Sequence, residues 1–462
     1  MTCVWAFPGV FNLVTECWLC SCRHRASRSC STATRGGGRL YGGGAVLRHA
    51  TSFATAARGG RHLLGYLSGT ILLALTSLLA IPALISADGL DNWSGFALGQ
   101  AAGSIAAATI NLGLRVSGPS EVAAARDPER RGLLVQSIRV RLVVVLPVVA
   151  IATLVAALIA PGLLLFVLLG VVQQASNGLS DRWYLVGMSR PFTVFMTDAL
   201  PRTLANVLAV LAVYLLGAGL AEAAILMCVG TIASSAMTSV ASLGLTSSVK
   251  PQIPKLRAFV RGQMAGLWVN LTESGLLAAP MLLIGIVAPG ALAQYAFYDK
   301  VYRQGTSGLT PISQVLQPWS ARRTGAARWR RITISIGIGF VVVLMSAALG
   351  ATIGVPILRV LAAGEVDPGW GTTTLLATAV GLWVMRMIAV RSGLMPLRDS
   401  RFVGISSTVG LAISLLLTVG GAYAYGSDGA VAGIAVGAVL QCADLTGALL
   451  TGADLTGADL RG

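Results

Sequence analysis

LVVVLPVVAIATLVAALIAPGLLLFVLLGVVQQASNGLS, residues 142–180, contains no charged side chain and is about twice as long as one crossing of a bilayer requires. Pro161-Gly162 stands at its middle and reads as a turn, so the run predicts two helices. Working outward, the uncharged intervals 63–87, 92–114, 203–221, 223–249, 332–358, 368–385 and 402–427 each suit one membrane helix. The stretch from 262 to about 315 makes two more, split at Pro289-Gly290, although Glu273, Asp299, Lys300 and Arg303 lie inside it. A weaker last segment begins at Gly429. The expected fold class is an all-α polytopic membrane protein of about twelve transmembrane helices.

Composition agrees, because a chain that is 55% hydrophobic and 11% charged has too little polar residue to coat a soluble globule of 462 residues. The formal charge of +16 is scattered between apolar stretches rather than gathered on one solvated face, which makes the lipid bilayer the partner and excludes nucleic acid. The charges alternate from loop to loop. One set of loops holds Arg115 to Arg141, then Arg182, Arg190 and Arg202, then Lys250, Lys255, Arg257 and Arg261, then Arg322 to Arg331, then Arg386, Arg391, Arg398 and Arg401. The other set holds Asp88, Asp91, Glu222, Glu365, Asp367 and Asp428, with Arg359 as the basic exception. By the positive-inside rule the first set is cytoplasmic, and both termini are expected there, in the inner (plasma) membrane.

All three histidines (His24, His49, His62) precede the first span, so the membrane body has no histidine for a metal site or an acid/base relay. No glycine is followed by lysine, so there is no Walker A loop and no self-contained ATP-driven pump. Neither a cofactor nor a metal is expected.

The ends differ from the middle. Residues 1–61 carry eight arginines, a glycine-rich run from Gly36 to Gly44 and five of the seven cysteines, and read as a disordered cytoplasmic tail. Cys17, Cys20, Cys22 and His24 lack the second knuckle of a structural zinc site. Translation from a start upstream of the true one explains this segment better. Ala443 to Gly462 reads ADLTG-ALLTG-ADLTG-ADLRG and resembles the pentapeptide-repeat family, whose members coil into a right-handed β-helix. Four units make one coil at most, and stacked repeats need neighbours, so no solenoid is expected here. The segment reads as a fused remnant, or as a tail that extends the last helix.

Ionisable groups in the bilayer need a partner or an aqueous cavity. Asn270 and Glu273 fall about 10 to 15 Å deep on the seventh span at 1.5 Å per residue, and Asp299, Lys300 and Arg303 reach a similar depth on the eighth. Lys300 and Arg303, at i and i+3, are expected to share a face with Tyr295, Tyr298 and Tyr302 around them, a surface that suits an anionic group such as a phosphate diester. Glu273, with Asp299, is the candidate for ion coupling. Gln173, Gln174 and Asn177, on the fourth span, are candidates for the opposite wall. A buried ion network holding helices in register is the structural alternative. Gly95-x3-Gly99-x3-Gly103 and Gly429-x3-Gly433-x3-Gly437 are close-packing faces. Asp198 and Arg202 read as an interfacial ion pair.

Arg182–Arg202 (RWYLVGMSRPFTVFMTDALPR) and Tyr295–Trp319 (YAFYDKVYRQGTSGLTPISQVLQPW) resemble the polysaccharide and oligosaccharide-lipid flippases of the multidrug/oligosaccharidyl-lipid/polysaccharide exporter superfamily. The resemblance covers about residues 63–440. It implies two six-helix lobes, 62–249 and 262–442, joined by a basic linker, 250–261, and rocking about a central cavity. It further implies a polyprenyl-linked glycan as cargo, a cationic cavity to which Lys300 and Arg303 supply the charge, and a polysaccharide polymerase or glycosyltransferases as partners; Asn270 and Tyr302 are candidate contacts from their position beside that charge. No catalytic residue is implied. An ion-coupled exporter of small cations, a membrane enzyme of envelope polysaccharide synthesis and a structural scaffold are the competing readings.

Overall fold

The computed structural model describes residues 44–246, 250–321, 326–394 and 400–459. Contacts divide the chain into two units, Met1–Arg58 and Gly59–Gly462. In the first, the described residues from Gly44 are helical. The second unit contains the membrane body. Helices α1 (59–87) and α2 (90–110) are parted at Asp88 and Gly89, where Gly89 takes φ +83°. Next come α3 (Asp127–Ile159), α4 (Leu164–Ala175, continued by a 3-10 turn and the short helix Arg182–Gly187), α5 (Pro191–Leu216) and α6 (Leu220–Gly244). The second half is α7 (Leu256–Val287), α8 (Leu292–Ala321), α9 (Ala326–Leu361), α10 (Trp370–Gly393), α11 (400–424) and α12 (427–459), the last two parted at Tyr425 and Gly426. Among the described residues this makes twelve long helical segments and no strand, in two sets of six, and eight helices, two of them each spanning a pair of these segments, are long and apolar enough to cross a membrane.

The turns sort by charge. The Asp88 carboxylate accepts from the Leu220 amide at 2.8 Å, tying the α1–α2 turn to the α5–α6 turn, and Thr372 donates to Asp428 at 3.0 Å, tying α10 to the α11–α12 turn. The acidic turns form one end of the bundle and the arginine-rich connections the other. Lipid-facing surface explains why residues such as Leu146, Leu158, Leu216 and Val360 are exposed apolar side chains.

Charge gaps measure the part of a helix that lies in hydrocarbon, so they misplace helix ends wherever a helix extends past it or carries a buried pair. Thus α3 begins at Asp127, fifteen residues before Leu142, and α7 begins at Leu256, which shortens the linker expected at 250–261. The gap 203–221 started too late, because α5 runs from Pro191 and holds Asp198 and Arg202 inside it. It also ended too late: the chain turns at Gly217 (φ +66°), and Glu222 belongs to the first turn of α6. The last turn falls at Tyr425 and Gly426 rather than at Asp428. The backbone from Ala443 to Asp459 continues α12 as helix.

The glycine faces are contacts within each half. A Cβ on Gly99 would overlap the Val167 carbonyl, and one on Gly103 would meet the Val171 carbonyl and Gln174, so α2 and α4 touch through backbone. Gly170 returns the contact against the Phe96 carbonyl. In the second half Gly433 lies on the Leu417 carbonyl and Gly437 on Ser414, joining α12 to α11 in the same way. These approaches fix the depth at which the polar side chains next to them meet.

Candidate functional site

Successive residues of a helix point about 100° apart, so neighbours on α8 serve different walls. Lys300 and Gln304, one turn apart, face the first half. Lys300 Nζ donates to Gln100 Oε1 on α2 at 2.6 Å, and Gln304 Nε2 donates to Ser77 Oγ on α1 at 2.8 Å. Gln100 in turn donates to Gln173 on α4, a bond made possible by the Gly99 and Gly103 packing just described. Counted from the acidic end, Lys300, Gln100 and Gln173 all lie about 12 to 15 Å deep, near the middle of the hydrocarbon.

The same seam runs on towards the basic end along α7. Asn270 donates to the Ala108 carbonyl at 3.4 Å, Ser117 donates to Gln263 at 2.7 Å, and Gln263 donates to Glu121 at 2.9 Å. Gly113, at φ +78°, lies so close to Gly266 and Leu267 that no Cβ fits there. The two halves are thus shut against each other at this end.

Tyr295, Asp299, Tyr302 and Arg303 occupy another side of α8. There they border a cavity of about 70 Å³ walled by α7, α8, α10, α11 and α12, wholly within the second half. Arg303 Nε donates to Asp299 at 2.6 Å, and a further guanidinium nitrogen donates to the Leu277 carbonyl. Arg386 and Trp383 reach the cavity from α10, Ser414 and Thr418 from α11, and Gln441 from α12, where its amide donates to the Gly410 carbonyl at 2.9 Å.

The residues singled out from sequence therefore separate. Lys300 and Gln173 meet through Gln100, and Asn270 is on the same seam. Tyr302 and Arg303 line the cavity with Asp299, so Lys300 and Arg303 do not share a face as expected. Gln174 and Asn177 bond to each other on α4, at 3.1 and 3.3 Å, and join neither group. Glu273 belongs to α7, one turn before Leu277, and its side chain lies outside the described residues, as do Cys17, Cys20, Cys22 and His24.

Arg386 was missed because the charge-gap ruler ended a span at residue 385 and gave this arginine to a loop. Helix length holds the signal: 20 residues from Trp370 reach past position 386, and α10 in fact continues through a π-helical turn at Ala389–Leu394. Two other charged clusters lie in the first half. Arg141 and Asp181 are 1% and 0% exposed and form an ion pair. Asp198, within the π-helical turn Phe195–Ala199, pairs with Arg182 at 3.2 Å, accepts from Ser234 at 3.1 Å and has Arg202 at 3.9 Å. Around the buried Asp198 the expected pair with Arg202 is joined by the more exposed Arg182, which is the nearer partner.

Comparison with solved structures puts this fold among known transporters. A Vibrio cholerae MATE transporter, VcmN, superposes with TM-score 0.53 over 87% of this chain and 98% of its own, at 14% identity. An inward-facing multidrug resistance MATE family transporter of the MOP superfamily gives 0.52 over 86% and 95%, at 14% identity. The lipid II flippase MurJ, in an inward closed conformation, gives 0.50 over 87% of each chain, at 12% identity. The chain therefore has the fold of these twelve-helix, two-lobed membrane proteins. The family model of pentapeptide repeats (8 copies) matches residues 436–462, and no curated protein matches the chain.

Proposed function

We propose that this protein is a transporter, not an enzyme, which flips a polyprenyl-linked oligosaccharide or polysaccharide precursor across the inner membrane by alternating access. The observation that carries the reading is Lys300, a cation at mid-membrane depth whose described partner is a neutral amide on the opposite half, Gln100. A charge so placed is tolerable only while something polar meets it. When the halves (about 62–249 and 262–442) part, Lys300, Gln100 and Gln173 become the polar lining of the opened cleft, and the anionic group of a guest replaces the amide. The likeness in fold to MurJ, which bears the name of a lipid II flippase, supports a lipid-linked cargo. In this reading both termini are cytoplasmic, the seam of Gln263, Glu121, Ser117 and Gly113 is the inner gate, and a polymerase or glycosyltransferases of the same pathway supply and receive the glycan. Glu273 is the candidate for proton coupling.

The same fold serves the MATE drug exporters, so a small cationic drug is the second candidate cargo. A lysine among neutral amides disfavours a cation at this seam. Proteoliposome transfer of a fluorescent lipid-linked glycan tests the reading, with ethidium efflux run in parallel. Lys300→Ala should lower glycan transfer at least tenfold. Unchanged transfer in Lys300→Ala, or ethidium as the sole cargo, overturns the proposal.

A further inference from the structure

Beside Lys300 the seam between the halves holds a second polar contact, which the flipping mechanism leaves without a role. Gln304 follows Lys300 by one turn of α8, about 6 Å nearer the basic end, and donates through Nε2 to Ser77 Oγ on α1 at 2.8 Å. We infer, on the flipping reading above, that Gln304 and Ser77 form the sugar subsite of the opened cleft: they hold the first ring of the glycan while Lys300 holds the phosphoryl group to which that ring is joined.

Each of the two side chains has the other as its described partner, across the boundary between the halves. Gln100 keeps its bond to Gln173 within the first half when the halves part, whereas Gln304 and Ser77 are both released at once. A guest that met them with apolar surface would leave a carboxamide and a hydroxyl without hydrogen bonds. Both groups donate and accept, and neither carries charge. A sugar hydroxyl or acetamido group likewise does both. A second phosphoryl group chiefly accepts, so it would set its oxygens against the Gln304 carbonyl.

Geometry gives the direction. Lys300 and Gln304 are about 40° apart around α8, on one strip, and a ring esterified to a phosphoryl group at Lys300 reaches one turn along it. On the acidic side of Lys300 and Gln100 the preceding turns carry Ala296 on α8 and Phe96 on α2, each 1% exposed. The polar part of a guest therefore extends from Lys300 towards Gln304 and the basic end, not the other way.

The full chain in proteoliposomes tests the subsite with two probes labelled on the lipid chain, a polyprenyl pyrophosphate bearing one N-acetylglucosamine and the same lipid without sugar. The readout is the ratio of glycosylated to bare lipid transferred. Gln304→Leu should lower this ratio about tenfold or more, and the smaller change Ser77→Ala about threefold, because the discrimination resides in polar groups that only the sugar can meet. Lys300→Ala, by contrast, should slow both lipids. Should Gln304→Leu fail to fold, Ser77→Ala decides alone. A ratio unchanged in the variants that fold, with wild type moving the glycosylated lipid, overturns the subsite and leaves the flipping reading standing. Wild type that moves neither lipid overturns that reading and the subsite with it.

Discussion

The two halves of the molecule each hold an arginine–aspartate pair, and the pairs are built differently. In the first half Arg141 donates to the Leu179 and Ser180 carbonyls at 2.9 and 3.3 Å, to the Ser137 hydroxyl and carbonyl at 2.9 and 3.2 Å, and to Asp181. Asp181 also accepts from Ser239 at 2.6 Å, and its amide donates to Thr238 at 3.2 Å. Every side of the guanidinium is used, with both side chains at 1% exposure or less. In the second half Arg303 and Asp299 are 28% and 13% exposed and border open space. A saturated pair can only hold: it fastens α3 to the 3-10 turn at the end of α4, where Ser176–Leu179 breaks the helix and leaves carbonyls without intrahelical partners. A pair beside a cavity has capacity left for a guest. Paired charge is thus common to both regions, and what separates them is burial and whether the neighbours exhaust the hydrogen-bonding groups.

That contrast can be broken by substitution. The largest effect is expected for Asp181→Ala, which strands Arg141 in a dry interior and should cost about 3 to 5 kcal/mol, read as loss of monodisperse protein and a lowered unfolding midpoint. Joint replacement, Arg141→Met with Asp181→Leu, should recover most of that loss if the pair is purely a fastener. Gly433→Leu should come next, at roughly 1 to 3 kcal/mol or more, because α12 would be driven off the Leu417 carbonyl. Gln100→Leu, which removes the amide that meets Lys300, should cost about 1 to 3 kcal/mol in the closed seam and shift the equilibrium between open and closed forms, measurable as faster labelling of a cysteine placed at Ser77. The smallest change in stability, under about 1 kcal/mol, is expected for Asp299→Asn, whose pair with Arg303 is partly exposed, at 13% and 28%. An Asp299→Asn protein as unstable as Asp181→Ala would erase the distinction between the two halves.

Much of this was legible beforehand. The breaks at Asp88-Gly89, Pro161-Gly162 and Pro289-Gly290 fall where apolar runs meet turn residues, because glycine and proline punctuate a helix locally. The glycine faces were readable as packing for the same reason. The division of α8 was harder to see. Residues three apart on a helix point within about 60° of each other, near enough to suggest one face for Lys300 and Arg303. Two walls meet along α8 at that angle, the seam with α2 on one side and the C-half cavity on the other, and no periodicity in the chain announces where that edge falls.

By itself the sequence determined that this chain lives in lipid, how many times it crosses, and which connections carry positive charge, since hydropathy and charge act residue by residue against a uniform solvent. The partners of these charges were decided only in the folded bundle: Arg141 for Asp181, Gln100 for Lys300, Arg182 for Asp198. Those pairings join residues as many as 200 positions apart, and which of them meet depends on helix rotation and on the closeness that a few glycines allow.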